Sequence, residues 1–202
     1  MIKIVFSLSI LLLLNACTLK TPHINEYMLY KATAYTQTTS HIQSSCNNKT
    51  LKVLPSFSDN KLHSTSMWYF LGEHNSDTFT VSKWSDSPNH SINKAIVAQL
   101  QSSGIFKEVL ISGSRANSEL YLESSINEFL QHFSQDEKSS KAQLNIRLTL
   151  VDAKTKEVIA SKTFKESIDV KAINAKGGVI ALDKALSLFL EKQALWLQKS
   201  CK

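Results

Sequence analysis

From Thr50 onward, hydrophobic positions recur at one of two periods, and the changes of period mark the elements. Leu51 and Val53 alternate with polar neighbours as far as Pro55. This predicts a strand over Thr50–Phe57, stopped by a residue that cannot donate to a ladder. "SMWYFLGEHNSDTFTVSKW" predicts a hairpin, with strands Met67–Leu71 and Thr78–Trp84 around a Gly72–Asp77 turn. The period then lengthens. Ile92, Ala95, Ile96 and Leu100 form a stripe at helical spacing. Ser87 opens that helix as N-cap, Pro88 takes the first helical position and Gly104 closes it. "IFKEVLI" returns to strand. In "SELYLESSINEFLQHF", Ser118–Phe133, Leu120, Leu122 and Ile126 share one phase while Phe129 and Phe133 take the other, which predicts a bulge or a switch of faces. "AQLNIRLTLVD" places Leu144, Ile146, Leu148 and Leu150 inward, "AKTKE" turns the chain, and "VIASKTFKESI" comes back beside it. The last segment, from Ala175, carries Val179, Leu182, Leu186, Phe189 and Leu197 on one helical face. The predicted order is β-β-β-α-β-β-β-β-α. That order gives an α/β (α+β) two-layer sandwich of one mixed β-sheet with two main helices. There is no internal repeat and no sign of a second domain.

The first 48 residues follow neither period. A positive start at Met1 and Lys3 precedes an apolar run from Ile4 to Leu14. That run is about half the roughly 20 residues a spanning helix needs, and it falls within the roughly 7–15 of a secretory signal core. It ends in Leu14-Asn15-Ala16-Cys17, a small residue before a cysteine, which resembles the bacterial lipobox. The lipoprotein reading makes Cys17 the acylated residue and gives the protein a covalent lipid but no cofactor. The other reading is a plain secretory signal with an incidental cysteine. Two or more acyl chains anchor stably where one does not. Thr18 stands where an Asp would favour retention at the inner membrane, so the outer membrane, periplasmic face, is the expected location. These readings divide the chain into a signal peptide over 1–16, a lipidated N-terminus and polar tether over 17–48, and a single domain over 49–202. Within the tether, Tyr27, Leu29 and Tyr30 form an apolar cluster able to dock on the domain.

Composition narrows the chemistry. The net charge of +6 is spread along the chain, and no run of Lys or Arg resembles a nucleic-acid patch. With Cys17 acylated, Cys46 and Cys201 remain. In an oxidising compartment they either bridge or stay as two thiols. The histidines His23, His41, His63, His74, His90 and His132 are scattered and form no ligand motif, so no metal is expected. Ser112-Gly113-Ser114 lacks the frame of a nucleophile elbow. Lys176-Gly177-Gly178 reads either as backbone donors for a phosphate or as a flexible helix entry. No acid–base or nucleophile constellation stands out, so no enzyme is expected. Trp68, Tyr69 and Trp84 read either as core or as interface aromatics on an uncovered sheet face.

Taken together, several stretches carry a family resemblance. They are the lipobox, the Tyr27-Met28-Leu29-Tyr30 cluster, the "MWYF" strand, and the Trp84-Ser85-Asp86-Ser87-Pro88 step into a helix. "LQSSGIFKEV", the "LYLESSINEF" strand, the "LTLVDAKTKEVIASKTF" hairpin and a last helix ending near Trp196 complete the set. This chain resembles the ABC-type transport auxiliary lipoprotein family, the PqiC-like group, over nearly its whole mature length. It departs at Thr65-Ser66, where family members often carry an arginine, so a contact made by that arginine is not implied here. The resemblance implies an accessory role beside an inner-membrane ABC permease and ATPase and a periplasmic MCE-domain protein that carries lipid between the membranes. The expected arrangement is a domain held to the membrane by the acyl chains of Cys17, as a single copy or as a homo-oligomer. The alternative is a structural envelope lipoprotein that scaffolds an outer-membrane assembly without handling lipid.

Overall fold

The computed structural model describes residues 22–29 and 45–200. The signal peptide, Cys17, Tyr30 and Cys201 lie outside the described residues. The strands are β1 (Asn25–Tyr27), β2 (Thr50–Val53), β3 (Phe57–Ser58), β4 (Ser66–Leu71), β5 (Asn75–Trp84), β6 (Glu108–Ile111), β7 (Leu120–Phe133), β8 (Ser140–Asp152) and β9 (Val158–Asp169). The helices are α1 (Pro88–Ser103) and α2 (Ala175–Ser200). They form the expected mixed sheet with two helices, extended by two short strands, β1 and β3, that no periodicity announces.

The long strand β7 is the spine. One edge pairs antiparallel with β8 over its whole length, and β8 pairs in turn with β9. The other edge is shared by three short parallel strands in succession: β2 at Leu120–Leu122, β3 at Ser125–Ile126 and β4 at Gln131–Phe133. The sheet therefore branches. At one end β2 leads to β6, and at the other β4 leads to β5 and then to β1, which runs parallel to β5. The step from β2 to β3 around Pro55 is clamped from α1. Asn89 donates to the Ser56 carbonyl at 3.0 Å and to the Ser58 hydroxyl, while Asn93 donates to the Leu54 carbonyl at 2.9 Å.

The bulge foreseen in β7 is present. The register with β8 steps from Ile126 opposite Ile146 to Glu128 opposite Asn145, so Asn127 is the extra residue. The step turns Phe129 back into the core. Leu144, Ile146, Leu148 and Leu150 of β8 are buried with Leu120, Leu122 and Ile126 of β7. They meet Ile92, Ile96 and Leu100 of α1 and Leu182, Leu186, Phe189 and Leu190 of α2. The helices are pinned together inside this core by a bond from Gln193 Nε2 to Gln99 Oε1 at 3.1 Å. Glu123, Arg147 and Thr149, in the alternate phase of β7 and β8, are not buried.

The helix ends follow from their residues. The Ser87 hydroxyl accepts from the His90 N–H, and Gly104 sits in the left-handed region at φ 66°, where a side chain is disfavoured. At the start of α2, Asn174 Oδ1 accepts from the Gly177 N–H at 2.9 Å. A Cβ on Gly177 would run into the Ala172 carbonyl, and one on Gly178 into the Gln131 amide. Gly178 is therefore a close-packing requirement where α2 comes down on β7 and Gly177 one where the chain turns past Ala172 into the helix, and the flexible-entry reading gives way to them.

Candidate binding cleft

Beyond the core, β4, β5 and β1 extend past the start of α2. This end carries apolar side chains at sheet spacing that neither α1 nor α2 covers. The result is a cleft of about 520 Å³, within the range of roughly 300–1,000 Å³ usual for small-molecule sites. Its floor is Tyr69 and Leu71 of β4, Phe79 and Val81 of β5 and Phe133 at the end of β7. Asn25 and Tyr27 of β1 form one wall, and Ile173 to Lys176, entering α2, form the other. Tyr69 packs tilted on Phe79 with centroids 4.7 Å apart and edge-on to Phe133 at 5.2 Å, geometries aromatic pairs favour.

Two charges line this apolar floor, those of Lys176 and Glu137. Glu137 lies in the β7–β8 turn at φ 56°, a left-handed conformation that glycine would adopt more cheaply. It is held there by its N–H bonding to the Ser134 carbonyl at 2.9 Å. Burial, and then the negative charges of Asp77 and Glu137, push the Tyr69 phenol above its ordinary value. The floor therefore stays uncharged around neutral pH.

The three aromatics singled out from the sequence separate. Tyr69 alone lines the cleft. Trp68 points to the opposite face with Phe70, where Lys61 Nζ lies 5.3 and 4.9 Å from the two ring centroids. His132 stacks on Phe70 at 4.9 Å and pairs with Glu128 at 2.6 Å. Trp84 is 4% exposed, a core side chain, which removes it from any interface. Phe79 and Phe133 were not singled out beforehand as site residues, and Tyr27 only as part of an apolar cluster able to dock on the domain, against whose core it packs. The signal for Phe133 was its phase, shared with the buried Phe129 but carried past the reach of α2.

Cys46 is buried and disulfide-bonded. The other two cysteines, Cys17 and Cys201, lie outside the described residues. Among the described residues no group of three or more His, Cys, Asp or Glu could hold a metal ion, and no helix is long and apolar enough to cross a membrane. Ser112 to Ser114 form a turn closed by the Ser114 N–H on the Ile111 carbonyl.

The family model for the ABC-type transport auxiliary lipoprotein component matches residues 30–193. The chain belongs to this family. As a member it is an auxiliary component of an ABC transport system, and its partners are parts of such a system. A lipoprotein of this kind is membrane-anchored in the cell envelope. Solved structures share the fold at low identity. Protein XCC0632 from Xanthomonas campestris, of the DUF330 family, is 13% identical with a TM-score of 0.76, covering 87% of this chain and 95% of that one. An uncharacterised protein is 12% identical with a TM-score of 0.64, covering 87% and 99%. The hypothetical protein CT253 from Chlamydia trachomatis is 10% identical with a TM-score of 0.51, covering 76% and 98%. No curated protein matches the chain in sequence.

Proposed function

We propose that this auxiliary lipoprotein serves an ABC/MCE-type system that moves lipid between the inner and outer membranes, and that it is not an enzyme. Acyl chains on Cys17 hold it at the periplasmic face of the outer membrane, and because Asn25–Tyr27 is already paired in the sheet, only the few residues between Cys17 and β1, rather than the whole segment to Asn48, set its reach. A Cys46–Cys201 bridge ties the start of the domain to its C-terminus. The sandwich docks an MCE-domain protein that works with the permease and ATPase, as a single copy or as a homo-oligomer. The observation that carries this reading is the family match over residues 30–193. An apolar cleft with charged lining residues is compatible with lipid handling.

The test is a mild-detergent pull-down of the tagged, acylated protein from its native membrane, with the captured proteins identified by mass spectrometry. Recovery of an MCE-domain protein with its permease and ATPase is expected. Capture of other envelope proteins, with no transporter subunit even after cross-linking, would overturn the assignment in favour of a scaffold role.

A further inference from the structure

We propose that the cleft between β4–β5–β1 and the start of α2 binds an acyl chain of a membrane glycerophospholipid bearing a zwitterionic head group of the phosphoethanolamine kind. The proposal rests on the lipid-transport reading for the source of the lipid, and on the cleft itself for the chemistry. The floor of Tyr69, Phe79 and Phe133 offers rings and no charge, which suits a hydrocarbon chain. The cleft is also lined by one cation, Lys176, and one carboxylate, Glu137. A phosphate facing the first and an ammonium facing the second satisfy both, whereas a purely anionic head would leave Glu137 opposed. At the head of α2 Asn174 caps the Gly177 N–H, and the Lys176 side chain supplies the cation for the phosphate.

The position of the cleft on the chain points the same way. Asn25 and Tyr27, which form one wall, belong to the first described strand. Asn25 follows Cys17 by eight residues, a span of at most about 28 Å when fully extended. With Cys17 anchored in the outer leaflet's partner, the periplasmic leaflet, chain length keeps this wall close to a bilayer surface. Among the described strands β1 is the nearest in sequence to Cys17. Val81 and Ile173, which line the cleft, are 40% and 42% exposed. Apolar side chains left that open beside a membrane are covered when an acyl chain enters.

The experiment uses the acylated, full-length protein in vesicles of phosphatidylethanolamine and phosphatidylglycerol. A small fraction of the phosphatidylethanolamine carries a photoactivatable group in its acyl chain, and adducts are mapped by mass spectrometry after irradiation. Adducts are expected on the peptides holding Tyr69, Phe79 and Phe133. Val81→Glu and Ile173→Glu each place a charge in the path of the chain at an exposed position, and each is expected to lower labelling about tenfold. Their melting temperatures should match the parent, which separates loss of binding from loss of fold. An equally photoactivatable phosphatidylglycerol should label the cleft less, and Glu137→Gln should narrow that difference. Adducts confined to residues preceding β1, or labelling unchanged in both variants, would overturn the proposal. So would cross-links from the cleft to a protein in place of lipid. If the pull-down recovers the transporter while the cleft stays unlabelled, the accessory role stands and this site falls. If the cleft labels but no transporter is recovered, the site stands without that role.

Discussion

The two ends of this sheet use similar side chains to opposite effect. Where α1 and α2 cover β7, β8 and β2, Leu, Ile and Phe at alternating positions are almost wholly buried. Where the sheet branches into β4, β5 and β1, Tyr69, Leu71, Phe79 and Phe133 repeat the alternation but remain partly open. The difference lies in where α2 begins. Gly178 lets the helix drop onto β7 at Gln131, and beyond that point neither α1 nor α2 covers the floor. One end specifies the fold; the other is free to serve a ligand.

This comparison can be broken by mutation, and the largest effect belongs to the covered end. Phe189, fully buried and edge-on to Phe164 at 5.3 Å, should cost about 3–5 kcal/mol when replaced by Ala. Phe79→Ala in the cleft should cost well under half as much by the same denaturant titration. Equal losses would mean that the cleft floor is simply core. Next in size, Gly178→Ala should cost about 1–3 kcal/mol, because its new methyl must displace the Gln131 amide. Gln193→Leu should cost a similar amount, about 1–3 kcal/mol, by leaving Gln99 buried without its partner. The double variant with Gln99→Leu should recover most of that loss. Smallest, Glu137→Gly should stabilise by up to about 1 kcal/mol by relieving the left-handed backbone, while weakening discrimination among head groups. Stability gained with selectivity lost would mark Glu137 as a residue kept for the cleft.

Acid should act at several separate turns, one of which, the β7–β8 turn of Asp136, also carries the cleft residue Glu137. Backbone N–H groups of Thr155 and Lys154 hold the Asp152 carboxyl below its ordinary value, the Thr50 N–H does so for Glu119, and the Ser134 hydroxyl for Asp136. A carboxyl lowered in the folded state contributes stability above its unfolded value and loses it as pH falls through the folded one. Melting temperature is therefore expected to hold from neutral down to the ordinary carboxylate range and to fall below it. These three groups sit at turns and strand ends.

Most of the covered end was legible in the sequence because its signals are local. Ser87 and Gly104 delimit α1, the alternation in β8 names the inward residues, and the change of phase after Ile126 announces the bulge. The hairpin turn proved shorter than its loop-like composition implied, with β5 already under way at Asn75. What could not be read is what depends on distant pairing. Asn25–Tyr27 is too short and too polar to declare itself a strand; it forms because Tyr27 lies beside Trp84 along β5. Phe57–Ser58 is a strand only by virtue of β7. The cleft joins residues from four separate stretches of chain, and neighbours such as Trp68 and Tyr69 went to opposite faces, as strand geometry requires. Reading them as one group ignored that alternation.

The most direct measurement is hydrogen exchange on the acylated full-length protein in mixed micelles of fixed detergent content, with and without added phosphatidylethanolamine. Slower exchange is expected in β4, β5 and the first turn of α2 when the phospholipid is present, with β6 and β9, at other edges of the sheet, unchanged. No change in β4 and β5, or an equal change along β6 and β9, would contradict it.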